Sequence, residues 1–499
     1  MLKSLKVTSL KGQGPGRGGG EADMEEVLQP DLCVIGAGSG GLSVAAAAAQ
    51  FGVPVVLIEK GRMGGDCLNY GCVPSKALLA AAKRAEAVRT ASAFGVDVIE
   101  AQIDHARVHD HVHGVIAAIA PNDSVERFTG LGVRVIQATA NFLDRNTVEA
   151  GRVLVRARRF VVATGSSPSI PPIPGLNEVR YFTNETIFDV NERIQHLIVL
   201  GGGPIGVELA QAHKLLGSHV TMIETATFLG REDPEAAQVV IKKLEDAQVI
   251  MHKGARVERV ERAVQGVAVH IGKQGDTEII KGTHLLVATG RRPNLKSLHL
   301  ERAGVTYDEH GIKVDQHLKT TNRRIYAIGD AIGGAQFTHL ANYHAGIVIR
   351  NALYRLRPKV RAAALPRVTF TEPELAQVGL TEAEARKRYR HRRIRILRWP
   401  FADNDRAQAE RTTEGFIKVI TKNNGEILGC TIVGASAGEL IQLWVIAIQK
   451  AMKVGDITGF VLPYPTLSEI SKRVAFTYYQ PTLTKRWVRS IIGLLRRFG

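Results

Sequence analysis

Asp31-Leu32-Cys33-Val34-Ile35-Gly36-Ala37-Gly38-Ser39-Gly40-Gly41-Leu42 decides the fold of this chain. Residues 31–35 are a short apolar run of strand length, the glycines from Gly36 to Gly41 permit a tight turn, and the Ala-rich residues 42–51 predict a helix. Residues 53–58 form a second apolar run closed by Glu59. Strand, glycine turn, helix, strand and acid in that order predict a parallel βαβ unit. Gly36, Gly38 and Gly41 let a pyrophosphate approach the helix N-terminus. Glu59, about 20 residues past the turn, stands where a carboxylate accepts hydrogen bonds from ribose hydroxyls.

The pattern returns further along. Residues 197–200 read as a strand, Gly201-Gly202-Gly203-Pro204-Ile205-Gly206 as the turn, 207–216 as a helix and 219–223 as a strand ending at Glu224. Two such units predict an α/β protein with two Rossmann-like domains and two nucleotides, the second held by Gly201, Gly203 and Gly206. Glu224 suits a ribose with a free 2′-hydroxyl and repels a 2′-phosphate. Thr225-Ala226-Thr227 follows it in place of an Arg pair, although Arg231 is near, so NADH is favoured over NADPH.

Between the first unit and the rest lies Gly64-Gly65-Asp66-Cys67-Leu68-Asn69-Tyr70-Gly71-Cys72-Val73-Pro74-Ser75-Lys76, leading into a helix expected over 74–89. The chain has four cysteines, too few for a secreted disulfide framework, and no apolar core of signal-peptide type. A close pair in such a chain reads as redox or metal chemistry; two unrelated buried thiols are the competing reading. A helix N-terminus favours the thiolate. With Pro74 at the first helical position, Cys72 is expected to be the thiolate-prone member and Cys67 the more accessible one. Lys76 is one turn beyond Cys72 on its face.

At 499 residues and 45% hydrophobic, the chain predicts several globular domains. No apolar run reaches the ~18 residues of a membrane span. The net charge of +17 raises nucleic acid, membrane and anionic ligands as partners, but no nucleic-acid-binding signature accompanies it, so nucleic acid is not expected. Residues 1–30 are expected to be a disordered basic leader, Gly-rich over 11–20, with Met24 an alternative start. A cytoplasmic setting is expected.

In these motifs the chain resembles the flavin-dependent pyridine nucleotide-disulfide oxidoreductases, the family of dihydrolipoamide dehydrogenase, glutathione reductase and mercuric reductase. The resemblance runs over about residues 31–475. It implies an enzyme: a homodimer with FAD on the first unit, NAD(P)H on the second, a redox-active Cys67–Cys72 disulfide and no resident metal. It implies an FAD domain over 31–166 and 294–362, an NAD(P) domain over 167–293, a mixed α/β dimerisation domain over 363–476 and a tail over 477–499. Thr164, Gly165 and Ser166 (FAD) and Gly290 (NAD) fall in two strand-to-glycine turns that the family uses to close the two nucleotide domains. Asp330 falls where the family sets an Asp against the flavin's ribityl chain; a turn or helix-capping Asp is the alternative. Lys76 matches a Lys that reaches the flavin and pairs with a Glu on the helix of the second unit, here Glu208.

The resemblance departs in one place. Where dithiol-using members carry a His followed five residues later by a Glu, this chain has Tyr464 and Glu469. Free Tyr titrates near ~10 against ~6.5 for His, so Tyr464 is a poor base. Tyr here is similar to mercuric reductase, whose soft metal ion needs thiolates rather than imidazole. Yet no cysteine follows Cys430, so the C-terminal pair of those enzymes is missing. The expected function is electron transfer from NAD(P)H through flavin and the cysteine pair to a metal ion or other non-dithiol small molecule. Dihydrolipoyl dehydrogenase and a membrane-attached redox sensor or electron-transfer flavoprotein are the alternatives. In the tail, Leu483, Trp487, Val488, Ile491, Leu494, Leu495 and Phe498 recur at helical spacing, with Lys485, Arg486, Arg489, Arg496 and Arg497 on the rest. Such a helix lies on the inner face of a membrane or docks on the dimer partner.

Overall fold

A computed structural model describes residues 7–8, 26–273, 276–361, 364–389, 393–483 and 485–498. Its first sheet has the order Ile325–Ala327, Arg159–Val162, Leu32–Ile35, Val55–Glu59, Arg134–Gln137, with every neighbour parallel. Both faces are covered: Leu32 and Val34 pack on the helices Ser39–Gln50 and Thr338–Ala352, and Cys33 and Ile35 pack on the strands Ala140–Phe142, Val148–Ala150 and Val153–Val155, which is why all four residues of this strand are apolar and buried. A second parallel sheet runs Ile250–Lys253, His219–Glu224, His196–Leu200, His284–Val287. The third is antiparallel: Arg367–Thr369, Glu374–Gly379, Ile427–Gly434, Phe416–Lys422, Ile394–Pro400. A mixed five-stranded sheet of Val7–Thr8, Glu26–Leu28, Val153–Val155, Val148–Ala150 and Ala140–Phe142 packs on the first unit, and a three-stranded antiparallel sheet of Arg256–Ala263, Gly266–Lys273 and Asp276–Gly282 accompanies the second.

Several expected boundaries move. Part of the expected leader is paired structure: Glu26–Leu28 runs parallel to Val153–Val155, Leu28 is buried, and Val7–Thr8 pairs with Glu26–Leu28. The apolar Val27 and Leu28 have a sheet edge to cover, which a reading of the basic, Gly-rich residues before them could not show. Residues 1–6 and 9–25 of the leader lie outside the described ones. The cysteine helix is Cys72–Arg89, so it starts at Cys72 and Pro74 is its third residue. Pro is tolerated there because the first turn's N–H groups have no intrahelical partner in any case. The stretch from Val368 to Gly379 forms two strands, Arg367–Thr369 and Glu374–Gly379, with the cis Glu372–Pro373 bond between them. In the antiparallel domain, residues 437–449 form two consecutive helices, Ala437–Leu440 and Gln442–Gln449.

The domains share a core. Leu78, Leu79 and Ala82 of the cysteine helix pack with Leu209, Ala210 and Leu216 of the second glycine-turn helix, Pro204–Leu215, and its close.

Candidate functional site

The two glycine turns are copies in detail. Gly36 has φ +105°, and a Cβ there would stand 2.4 Å from the Ala163 carbonyl oxygen; Gly201 has φ +111° and would meet the Ala288 carbonyl oxygen at 2.4 Å. The last glycine of each turn closes on the first: a Cβ on Gly41 would lie 1.9 Å from the Gly36 oxygen, and one on Gly206 2.2 Å from the Gly201 oxygen. The middle glycines, Gly38 and Gly203, have no atom within 4 Å on that side. Each turn is thus sealed against the protein at its ends and open at its centre, the shape that fits a pyrophosphate at a helix N-terminus. The acids repeat the symmetry. Glu59 accepts from the Ala37 N–H at 2.5 Å and the Gly61 N–H at 2.7 Å; Glu224 accepts from the Gly202 N–H at 2.7 Å and the Ala226 N–H at 2.8 Å. Gly36, Glu59, Lys60, Thr139, Thr164 and Asn294 line a cleft at the first turn.

The cysteine segment is pressed against that turn. A Cβ on Gly65, which has φ +58°, would be 2.7 Å from Gly38 Cα, so only glycine lets the backbones approach. Cys67 sits in the short helix Gly65–Asn69 and Cys72 begins the long one. Asn69 holds the short helix by donating to the Met63 and Gly65 carbonyls at 3.0 and 2.8 Å. Both thiols are free, and their exposure is the reverse of the expectation: Cys72 is exposed and Cys67 half-buried. Cys67 is tucked into a helix pinned on both sides, whereas Cys72 has no preceding turn above it. A hydrogen bond from Cys67 depresses the Cys72 pKa; Thr338, whose Oγ1 is 3.3 Å from Cys72 Sγ, and the Lys76 charge add to this against burial. The same Cys72 bond, with burial, pushes Cys67 up. One proton held on Cys67 leaves Cys72 as the thiolate.

Lys76 and Glu208 meet. Lys76 Nζ is 2.7 Å from Glu208 Oε2 and 4.3 Å from the centre of the Phe370 ring, and Glu208 Oε1 accepts the Phe370 N–H at 2.9 Å. Glu208 is buried, so its carboxylate is satisfied by groups from two other parts of the chain.

Behind the cysteines runs a polar network that sequence reasoning missed. Arg291 pairs with Asp66 at 3.0 Å and donates to Ser166 Oγ at 2.8 Å; Ser166 in turn donates to Asp330 at 2.6 Å. Asn184 donates to Asp66 and to the Tyr70 carbonyl, each at 3.1 Å. Burial raises the Asp330 pKa, against Ser166 and Arg291. Next to it, His344 Nδ1 accepts the Gly329 N–H at 3.2 Å, and burial lowers this His to about 4, so it is neutral. Gly165 (φ +67°) and Gly290 (φ +143°) turn the chain where Ser166–Pro168 pairs with Arg291–Pro293, and Thr164 Oγ1 donates to the Asn294 carbonyl at 2.8 Å. Arg291 stood beside a motif glycine and was visible; Thr338, Asn184, His344 and Phe370 carry no motif.

Tyr464 is 68% exposed, and its hydroxyl donates to Asp405 at 2.8 Å. That bond raises its pKa. Glu469 begins the helix Glu469–Thr477. Among the described residues of one protomer, no hydrogen bond or ion pair joins either residue to the cysteines.

Residues 30–345 match the pyridine nucleotide-disulphide oxidoreductase family, and residues 365–475 match its dimerisation domain. The chain is 35% identical to a mercuric reductase of Bacillus cereus over 451 residues, covering 90% of this chain and 71% of that one. It is 33% identical to a dihydrolipoyl dehydrogenase of Bacillus subtilis, covering 88% and 96%. Among solved structures it is similar to the Cu(II) complex of RclA, a HOCl-induced flavoprotein disulfide reductase from Escherichia coli, with a TM-score of 0.80, 28% identity and coverage of 89% and 98%. The chain belongs to the class I pyridine nucleotide-disulfide oxidoreductases. It is an FAD- and NAD(P)H-dependent flavoprotein of that family, and its dimerisation domain makes it a homodimer.

Proposed function

We propose that the enzyme passes electrons from NADH through a Cys67–Cys72 disulfide to a soft metal ion or another small acceptor that is not a dithiol. FAD, when bound, supplies the hydride-accepting and disulfide-reducing chemistry. The first turn, with Glu59, Thr164, Gly165, Ser166 and Asp330, would hold FAD; the second, with Glu224 and Gly290, would hold NADH. Reduction breaks the S–S bond with two electrons. The one proton taken up stays on Cys67 and Cys72 is left as thiolate, the charge state the Lys76 ammonium favours. A soft cation displaces that proton and binds both sulfurs, and a second NADH supplies the two electrons that reduce it. Lys76, held by Glu208, is a positioning charge for Cys72.

Tyr464 carries this reading. A substrate dithiol needs a base to deprotonate it; a tyrosine hydroxyl bound to Asp405, with a raised pKa, is a poor one. Glu469 then has no imidazole to orient. The relatives named for mercury reduction and the Cu(II) complex of a similar reductase support a metal ion as the acceptor. Thiols that must cycle suit the reducing cytoplasm, and the basic C-terminal helix adds a means of peripheral attachment at a membrane's inner face.

The test is a turnover panel with NADH against Hg(II), Cu(II), lipoamide, glutathione disulfide and quinones. Metal-ion turnover is expected to exceed lipoamide turnover, and Tyr464→His to raise the latter by ~10²–10⁴, the usual worth of general-base help. Robust lipoamide reduction by the wild type would overturn the reading and assign a dihydrolipoyl dehydrogenase. Glu224 is expected to make NADH better than NADPH by about one to two powers of ten in kcat/KM; equal values would count against its role.

A further inference from the structure

The helix Arg486–Leu495 buries none of its residues. Trp487, Ile491, Ile492, Leu494 and Leu495 are each about half exposed, and Phe498 is 80% exposed. At about 100° per residue these side chains, with Val488, fall on one continuous arc. Lys485, Arg486, Arg489, Arg496 and Arg497 fall on the other, and there is no acid from 485 to 499. The helix packs against the short segment Gln480–Leu483 that precedes it.

We propose that this helix lies in the interface of an anionic lipid bilayer, its apolar arc inserted and its cations among the headgroups. Charge selects this occupant over a second copy of the chain. Residues 485–499 contain no acid, so the same helix of a second copy would set five cations against five cations with no counter-charge between them. An anionic surface attracts each of them. Trp and Phe on the apolar arc suit the boundary between headgroup and acyl chain. No helix among the described residues is long and apolar enough to cross a membrane, so the attachment is peripheral. The homodimer carries two such helices; once one is inserted the second binds at high effective concentration. The inference is independent of which acceptor the redox site serves; it rests on the cytoplasmic placement only for the choice of leaflet.

Co-sedimentation of the full-length holoenzyme with phosphatidylcholine vesicles, with and without phosphatidylglycerol, tests it. Binding is expected on the anionic vesicles at low salt, and about tenfold or more weaker at high salt or on neutral vesicles. Trp487→Glu combined with Ile491→Glu is expected to abolish it with the dimer intact. The chain has three tryptophans, and a vesicle-induced blue shift of emission should vanish in Trp487→Phe. Protein left in the supernatant at low salt, equal binding to neutral vesicles, or a double variant that turns monomeric would each overturn the proposal. NADH-dependent flavin reduction is read in the same samples. Lost sedimentation with intact reduction speaks against the helix, and intact sedimentation without reduction speaks against the redox site.

Discussion

Cys72 owes its chemistry to three neighbours on different elements: Cys67, Thr338 and Lys76. Of these, Lys76 acts through charge alone, so it can be removed without touching a sulfur. Lys76→Met is expected to raise the pH at which the Cys72 thiolate forms by about one unit or more, the usual effect of losing a nearby opposite charge. The measurement is a pH titration of the long-wavelength band that a thiolate gives beside oxidised flavin. The wild-type midpoint should lie below the ordinary thiol value of about 8.5. Cys72→Ser should lose the band and keep bound FAD. A midpoint that Lys76→Met does not move would exclude the Lys76 charge as a cause. At this scale the sequence was partly legible. Two thiols near a helix start announce their chemistry, but the exposure order came out reversed. The short helix that carries Cys67 is held through Asp66 by Asn184 and Arg291, which lie up to 225 residues away and meet it only in the fold.

The helices Cys72–Arg89, His105–Ile119 and Pro204–Leu215 enclose a small cavity lined by Leu78, His105, His109, Val112, Glu192 and His213. His213 is buried, and its Nε2 has no hydrogen-bond partner among the described residues. Burial, then the His105 and His284 charges, lowers its pKa to about 4. A His whose folded pKa is depressed contributes no pH dependence above the unfolded value near ~6.5, where both states are neutral. Below it the unfolded chain binds the proton first. Stability is therefore lost as pH falls from ~6.5 towards about 4, at up to about 1.4 kcal/mol per pH unit for each such His. His344 loses stability over the same window. His213→Leu is expected to flatten the acid limb of a Tm-against-pH curve while leaving Tm at pH 7 unchanged or higher. An acid limb of unchanged slope would show that His213 does not titrate with unfolding. None of this was legible from the apolar periodicity of the three helices, because a polar atom without a partner is a property of their packing. The helices after the two glycine turns and after the cysteine pair were legible, but His105–Ile119 was not read, and helix starts were not legible, since Cys72 and Ser39 take first-turn positions that need no side-chain signal.

At the scale of the whole molecule, the repeated strand–glycine–helix–strand–acid pattern made both nucleotide domains readable. It works because each unit's contacts are local, within about 30 residues. What joins the domains is not local. Lys418, on the strand Phe416–Lys422, is 5% exposed and pairs with Asp233 at 3.0 Å, Glu235 at 2.7 Å and Glu382 at 3.3 Å. Asp233 caps the helix Pro234–Asp246 of the second nucleotide unit and is itself buried, so this cluster ties that unit to the antiparallel domain across 185 residues of sequence. Without Lys418, Glu235 keeps Arg398 and Glu382 keeps Arg386, each at 2.6 Å, but the buried Asp233 loses its counter-charge; stranding one buried charge costs about 3 kcal/mol or more. Lys418→Met should therefore do more than lower overall stability. The two cap bonds that Asp233 accepts, from Glu235 and Ala236, keep its helix formed, so the loss falls on the contact between domains. Differential scanning calorimetry of the holoenzyme dimer is expected to show the main transition of the wild type split in Lys418→Met, the nucleotide unit melting ahead of the antiparallel domain. Adding Asp233→Asn removes the stranded charge and should bring the two transitions back towards each other. A single transition at the wild-type temperature in Lys418→Met would show that apolar packing such as Leu375, Phe416 and Val433 against Ala236 and Val240 holds the domains together without the cluster.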